Sequence, residues 1–149
     1  MIKGNIKGFT LIEVLIVIGL ISILAALTVI ALNPMKNYQE ARNTERRGEI
    51  SQLMNAINQF ALESSNAADY TTLLTSVVTC GGTDTNIITS PGAGLAVYTY
   101  LVPSQIAEIP SDPSSGNSTD TGYDICKSGT RLKISAPSAE AGATISLSR

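Results

Sequence analysis

The chain has 149 residues, of which 44% are apolar, with no histidine, no tryptophan, two cysteines and a formal net charge of −2. The lack of histidine excludes Ser/His/Asp and Cys/His catalytic machinery and histidine-ligated metal sites. A nearly neutral chain is also a poor candidate for binding nucleic acid by neutralising phosphates. Because no nucleophile lies in a cluster with a base, the sequence predicts neither an enzyme nor a cofactor.

One segment, residues 9–32, is apolar on all sides and contains a single charge, Glu13. As an α-helix this segment would measure about 36 Å, enough to cross the hydrocarbon core of a bilayer with some tilt. The simplest interpretations are a signal anchor and a secretory signal peptide that is cleaved after Ala31. Neither interpretation explains Glu13.

Glu13 is a carboxylate near the start of an apolar segment. On insertion scales such a group costs about 2.5–3.5 kcal/mol near the centre of a membrane helix and less toward an end, so a buried Glu13 needs a cation or hydrogen-bond donors. The next cation, Lys36, would lie about 34 Å further along the same helix. The partner of Glu13 is therefore expected to be an N-terminal group or to belong to another chain. The alternative is an unpaired Glu13 in a frayed helix end at the membrane interface.

The sequence around Glu13, KGFTLIE at residues 7–13, resembles the processing signature of type IV pilins and pseudopilins. In that family a short basic leader ending in glycine precedes a long apolar helix. The resemblance implies that a prepilin peptidase cuts between Gly8 and Phe9 and that the new amino group of Phe9 is N-methylated, which keeps its charge. It also implies that Glu13 pairs with the Phe9 ammonium of a neighbouring subunit, where two charges that are costly alone in hydrocarbon neutralise each other.

Beyond the apolar segment the pattern predicts that the helix continues. Asn33-Pro34 suits an N-cap-like kink in this helix, because proline is best tolerated in the first turn. Residues 36–49 are polar on all faces, with i,i+3 ion pairs expected between Arg42 and Glu45 and between Arg46 and Glu49. In a monomer this segment is expected to be solvated, whereas in a packed filament its charges would lie at subunit contacts. The next residues show a buried face at helical spacing, made of Ile50, Leu53, Met54, Ile57, Phe60 and Ala61.

These patterns divide the chain into four parts. Residues 1–8 are the leader, 9–32 the membrane and filament-core half of one helix of about 56 residues, 33–64 its amphipathic half, and 65–149 a globular head. The expected class is α+β, with the long N-terminal helix packed on a small antiparallel sheet, which is the pilin fold.

The head is rich in serine, threonine and glycine, with few aromatic residues. Residues 123–127 and 131–135 alternate as strands do and predict a hairpin, and residues 143–147 predict an edge strand. Residues 69–79 and 95–102 are short apolar segments that fit either a strand or a short helix.

Cys80 and Cys126 are the only cysteines. In an exported domain they are expected to form one disulfide. Closing a loop of this length contributes about 4 kcal/mol in the chain-entropy model, as an upper value.

Three acidic residues, Asp112, Asp120 and Asp124, lie in a loop rich in serine and asparagine. Major pseudopilins bind calcium in a C-terminal loop, so the resemblance makes these residues weak calcium candidates. Their spacing matches no EF-hand, and aspartate is also common in turns, where it bonds to the local backbone.

The resemblance predicts a structural subunit. It would cross the cytoplasmic membrane once, with its N-terminus in the cytoplasm, and then polymerise through its N-terminal helix into an extracellular type IV pilus-like filament for adhesion, motility or DNA uptake. Its expected partners are other copies of the chain, the prepilin peptidase, and the assembly platform and ATPase. The alternatives are a pseudopilin of a type II secretion-like pseudopilus and a signal-anchored protein that binds surfaces.

Overall fold

The computed structural model of the chain describes residues 8–82, 84–87 and 97–149. The first seven residues of the predicted leader therefore lie outside the described part. The chain divides into two compact units, Met1–Asn37 and Tyr38–Arg149.

The first unit contains helix α1, which runs over Leu11–Leu32. No residue of α1 is buried within the chain. The hydroxyl groups of Ser22 and Thr28 donate to the backbone carbonyls of Ile18 and Ala25, at 2.7 and 2.8 Å. The helix therefore pairs both hydroxyls internally, as an apolar surrounding requires.

The predicted continuous helix is interrupted at Asn33. This residue has left-handed backbone angles (φ 39°, ψ 70°), and helix α2 begins at the next residue and runs over Pro34–Leu62. The interruption has a physical cause, because the ring of a proline disfavours α-helical angles at the residue before it. The side-chain and backbone oxygens of Asn33 accept from Lys36 N–H at 3.4 and 3.1 Å, so the N-cap-like kink predicted at Asn33-Pro34 is present, although it divides the predicted single helix in two.

One face of α2 forms the centre of the core of the second unit. The predicted apolar face is buried there, with exposures of 4% or less, at Ile50, Leu53, Met54, Ile57 and Phe60. Ala56 is buried as well, whereas Ala61 is only half-buried. The period of 3.6 residues thus identified the buried face, although not its edges.

After α2 the chain forms short elements. In chain order these are a 3₁₀ turn at Ser64–Asn66, α3 at Ala67–Ser76, β1 at Thr85–Asn86, α4 at Val97–Leu101, β2 at Asp124–Ser128, β3 at Arg131–Ala136 and β4 at Ile145–Ser148. The strands form one antiparallel sheet in the order β1-β2-β3-β4. Sheet residues Ile125, Ile134 and Ile145 belong to the same apolar core as the buried face of α2.

The α+β class and the hairpin predicted from the sequence are confirmed. Ser128 pairs with Arg131 at the end of the hairpin, and Gly129 between them has a φ of 64°, which glycine adopts without steric cost. Of the two ambiguous segments, the first is helical as far as Ser76, in α3, and the second is helical over Val97–Leu101, in α4, while its residues 95 and 96 lie outside the described part. The predicted edge strand is β4. Strand β1 was not predicted, because it has two residues and exists only through its pairing with β2.

Candidate functional site

The predicted cleavage site lies just outside α1. Residues 8–10 have no helical or strand structure, and the helix begins at Leu11. Gly8 and Phe9 are exposed, and the Phe9 side chain is 84% accessible to solvent. The Gly8–Phe9 peptide is therefore open to an enzyme.

The first turn of α1 is closed by a capping box between Thr10 and Glu13. The Thr10 hydroxyl oxygen accepts from Glu13 N–H at 3.3 Å, and a Glu13 carboxylate oxygen accepts from Thr10 N–H at 3.4 Å and lies 3.4 Å from the hydroxyl oxygen. A negative charge at this position is also favoured by the helix dipole.

The capping box supplies Glu13 with donors from within its own chain. The partners predicted for Glu13 are an N-terminal group or another chain, and Thr10 of the same helix start is not among them. A signal for Thr10 is present, because Thr-x-x-Glu before an apolar segment is the sequence pattern of a capping box.

Phe9 and Glu13, the two residues of the predicted inter-subunit ion pair, lie on the same side of the helix start. Together with Val14, Val17 and Ile18 they line one shallow apolar hollow. Phe9 and Glu13 therefore border the same apolar surface at the start of α1.

The rest of α1 presents apolar side chains in every direction. Its large apolar residues are between 50% and 82% exposed within the single chain. By length and composition α1 is able to cross a membrane, and it is the one such helix among the described residues. Because exposed apolar surface of this extent is unfavourable in water, α1 requires lipid or other helices around it.

A second group of functional interest lies in the head, where Arg46 of α2 and Asp112 form an ion pair. Both side chains are fully buried, and two guanidinium nitrogens contact the two carboxylate oxygens at 2.7 and 3.2 Å. Burial alone would raise the pKa of Asp112, but the bonds from Arg46 and from the backbone N–H groups of Ser114 and Ser115 outweigh it, and the pKa lies well below its usual range.

Glu140 extends this ion pair to a second loop. It accepts from Arg42 at 2.5 and 2.6 Å and from Arg46 at 3.0 Å, and these two arginines lower its pKa to about 2. The side-chain amide of Asn43 bonds to both backbone groups of Glu140, at 2.8 and 3.0 Å. We call Arg42, Asn43, Arg46, Asp112 and Glu140 the Arg46 network.

One further contact joins α2 to the sheet side of the head. The hydroxyl of Tyr123, which is fully buried, donates to the carboxylate of Glu49. Burial and this neighbouring carboxylate raise the pKa of Tyr123, and burial raises that of Glu49.

The structure corrects the prediction that residues 36–49 are solvated on all faces. The predicted partners of Arg42 and Arg46 are Glu45 and Glu49. The ion pairs that the two arginines form in the head are instead with Asp112 and Glu140, which lie 66 to 98 positions away along the chain. The arginines lie one helical turn apart, on the side of α2 that continues into the buried apolar face. Local spacing gives no signal for partners so distant in sequence.

The three calcium candidates have different surroundings. Asp112 is bonded to Arg46 and to backbone N–H groups, and Asp120 accepts from Gly122 N–H at 2.8 Å. Burial raises the pKa of Asp124, as do the charges of Asp84 and Asp120. Within the described ranges, no group of three or more His, Cys, Asp or Glu residues is placed to hold a metal ion. Calcium binding by this loop stays a prediction.

Cys80 and Cys126 form the predicted disulfide, with their Cα atoms 5.0 Å apart. The same loop is also hydrogen-bonded to β2. Cys80 N–H donates to the carbonyl of Lys127 at 2.9 Å, and Lys127 N–H donates to that of Val78 at 2.8 Å. The disulfide therefore joins the loop after α3 to β2 of the hairpin.

An exposed apolar helix with an accessible N-terminal segment, followed by a disulfide-linked α+β head, is a pilin-like arrangement. A family model described as the prokaryotic N-terminal methylation motif matches residues 3–29. No curated protein and no solved structure matches the chain.

The matched region includes Gly8, Phe9, Thr10 and Glu13 and most of α1. The chain carries at its N-terminus the signature of type IV pilins and pseudopilins, which supports a pilin- or pseudopilin-like protein. Proteins with this signature are structural subunits and generally not enzymes. The apolar helix at the N-terminus is consistent with anchoring in a membrane before assembly.

Proposed function

We propose that this chain is the structural subunit of a type IV pilus-like extracellular filament and that it polymerises through α1. The observation that supports this most directly is the position of the processing signature at the start of a helix whose apolar side chains are exposed on all sides. A buried helix would leave no surface for polymerisation.

Before assembly, α1 lies in the cytoplasmic membrane with its N-terminus in the cytoplasm. Lipid tails and neighbouring helices are equally apolar surroundings for its side chains. The hydrophobic effect alone therefore does not favour a filament over the membrane. Close packing of helices and charge pairing supply the difference. After residues 1–8 are removed by the prepilin peptidase, Glu13 exchanges the weak donors of Thr10 for the ammonium of Phe9 in a neighbouring subunit.

The other partners follow from what an assembling subunit needs. Pulling α1 out of a membrane requires work, and the sequence contains no phosphate-binding glycine loop that would supply it. An assembly ATPase and a platform protein in the membrane are therefore proposed partners. The finished filament would serve adhesion, motility or DNA uptake.

Leader removal gives the first test. We expect mass spectrometry of the mature protein from its native cells to show a chain that begins at Phe9 and carries one methyl group on its amino nitrogen. The methyl group leaves the ammonium charged, so the pairing with Glu13 is retained. A chain with residues 1–8 still attached, or one that begins after Ala31, would contradict the proposal.

Replacing Glu13 tests the assembly step. The Glu13→Gln variant keeps the size of the side chain but not its charge, and we expect the yield of fibres sheared from cells to fall by about tenfold or more, since 1.4 kcal/mol per contact already corresponds to tenfold. Glu45→Gln, a change at an exposed residue of α2, is the matched control and should leave the yield unchanged. Equal fibre yields from both variants, with equal amounts of membrane-inserted protein, would refute the ion pair.

The signature is shared by pseudopilins, which gives a second candidate function. Deletion of the gene separates the two candidates. A pilin predicts the loss of long sheared fibres, whereas a pseudopilin predicts the loss of protein secretion from cells that never shed such fibres.

A further inference from the structure

We propose that Thr10 is a positioning residue for leader removal. As the N-cap of α1, it ends the helix before the Gly8–Phe9 peptide and keeps that peptide in the extended form that peptidases bind. This inference rests on the proposed cleavage between Gly8 and Phe9.

The backbone of Thr10 marks a sharp boundary. Its angles are φ −79° and ψ 150°, which are extended, while Leu11 is already helical. The scissile peptide lies directly before this boundary, and both of its residues are exposed.

The capping box prevents the helix from continuing upstream. The first N–H groups of any helix lack partners within the helix. In an apolar surrounding they would recruit the preceding carbonyls, and the Gly8 carbonyl would then accept from Ile12 N–H and the Phe9 carbonyl from Glu13 N–H.

Such an extension would place the scissile carbonyl of Gly8 inside a helical hydrogen bond, where a peptidase could not polarise it. In the structure Glu13 N–H instead faces the Thr10 hydroxyl oxygen at 3.3 Å and the Thr10 carbonyl at 3.1 Å. Glycine at position 8 does not by itself stop a helix, because glycine can adopt helical backbone angles as well as extended ones. The hydroxyl of Thr10 is thus the group that fixes the helix start.

Four variants at position 10 separate capping from side-chain shape. Thr10→Val keeps the shape of threonine and removes the hydroxyl, and Thr10→Ala removes both. Thr10→Ser and Thr10→Asn keep a capping oxygen, and asparagine does so with a different shape. Each full-length chain is inserted into membranes that contain prepilin peptidase, and the initial rate of leader loss is measured by mass spectrometry.

We expect the valine and alanine variants to be cleaved about fivefold more slowly than the wild type, which corresponds to the usual effect of losing an N-cap. The serine and asparagine variants should stay within about twofold. Thr28→Val is the matched control, because it removes a hydroxyl whose bond to the Ala25 carbonyl lies at the other end of the same helix. It should be cleaved at the wild-type rate.

Two results would overturn the inference. One is cleavage of Thr10→Val at the wild-type rate. The other is an asparagine variant that is cleaved as slowly as the alanine variant while the serine variant is cleaved at about the wild-type rate. The peptidase would then be recognising the shape of the side chain and not its capping oxygen. In either case the proposed function still stands if the wild-type chain loses residues 1–8. A wild-type chain that is never cut after Gly8 would overturn both the proposed function and the inference about Thr10.

Discussion

Replacement of Arg46 by methionine is expected to lower the free energy of unfolding of the head by about 3–5 kcal/mol. Methionine fills a similar volume, but it leaves the carboxylate of Asp112 fully buried without its cation. An uncompensated buried charge is among the most destabilising changes that a single substitution makes. Thermal or urea unfolding of the full chain in a non-ionic detergent, followed by the near-ultraviolet circular dichroism of its five tyrosines, measures the loss.

Two further variants identify the cause of this loss. Arg47→Met changes the adjacent arginine, which is exposed, and should alter stability by no more than about 0.5 kcal/mol. Adding Asp112→Asn to Arg46→Met removes the stranded charge while keeping an oxygen for the N–H groups of Ser114 and Ser115, and part of the stability should return. If Arg46→Met and Arg47→Met unfold alike, the buried ion pair contributes nothing.

The pH dependence provides an independent measurement of the same network. The pKa of Asp112 is well below its usual range and that of Glu140 is about 2, so their contribution is complete above about pH 5 and decreases as the pH falls toward those values. Burial raises the pKa values of Glu49 and Asp124, so the contribution of these two groups to stability decreases as the pH rises. In Arg46→Met the pKa of Asp112 is expected to rise, because its strongest lowering contact is removed while burial remains. The stability difference from the wild type should then be largest near neutral pH and shrink below about pH 4.

Removal of the disulfide is expected to have an effect of similar size. The double variant Cys80→Ala/Cys126→Ala should lose up to about 4 kcal/mol, because the unfolded chain gains the freedom of an open loop between residues 80 and 126. Alanine is preferred to serine because Cys126 is fully buried and a hydroxyl there would need a partner. The same unfolding experiment measures the loss.

Reduction of the wild type is the control for the disulfide variant. Dithiothreitol should lower the stability of the wild type to about that of the double variant and leave the variant itself unchanged. The hydrogen bonds between Cys80 and Lys127 and between Lys127 and Val78 remain in either case. A wild type whose stability is insensitive to reduction would show that these bonds alone hold the loop on β2.

The elements that the sequence predicts correctly are those encoded by local pattern. Helix α1 follows from an uninterrupted apolar segment, the buried face of α2 from its 3.6-residue period, and the β2–β3 hairpin from alternation on both sides of Gly129. In each case the residues that decide the structure are neighbours along the chain.

The Arg46 network could not be predicted in the same way. Arg46 and Asp112 are 66 residues apart. Nothing in the local sequence around either residue distinguishes it from an exposed charged residue. A buried ion pair has no periodicity of its own, so the polar pattern of residues 36–49 predicts a solvated segment. The capping box of Thr10 and Glu13 is a different case, because its Thr-x-x-Glu pattern is local and present in the sequence.

The contact between Asn43 and the turn at Glu140 has a consequence for how the surface of the head tolerates change. Asn43 recognises the main chain of the turn, through the N–H and the carbonyl of Glu140, and every amino acid except proline offers both groups. A substitution at position 140 therefore changes the ion pairs with Arg42 and Arg46 but leaves both hydrogen bonds to Asn43 in place. The charge of this turn can therefore change while its backbone stays attached to α2.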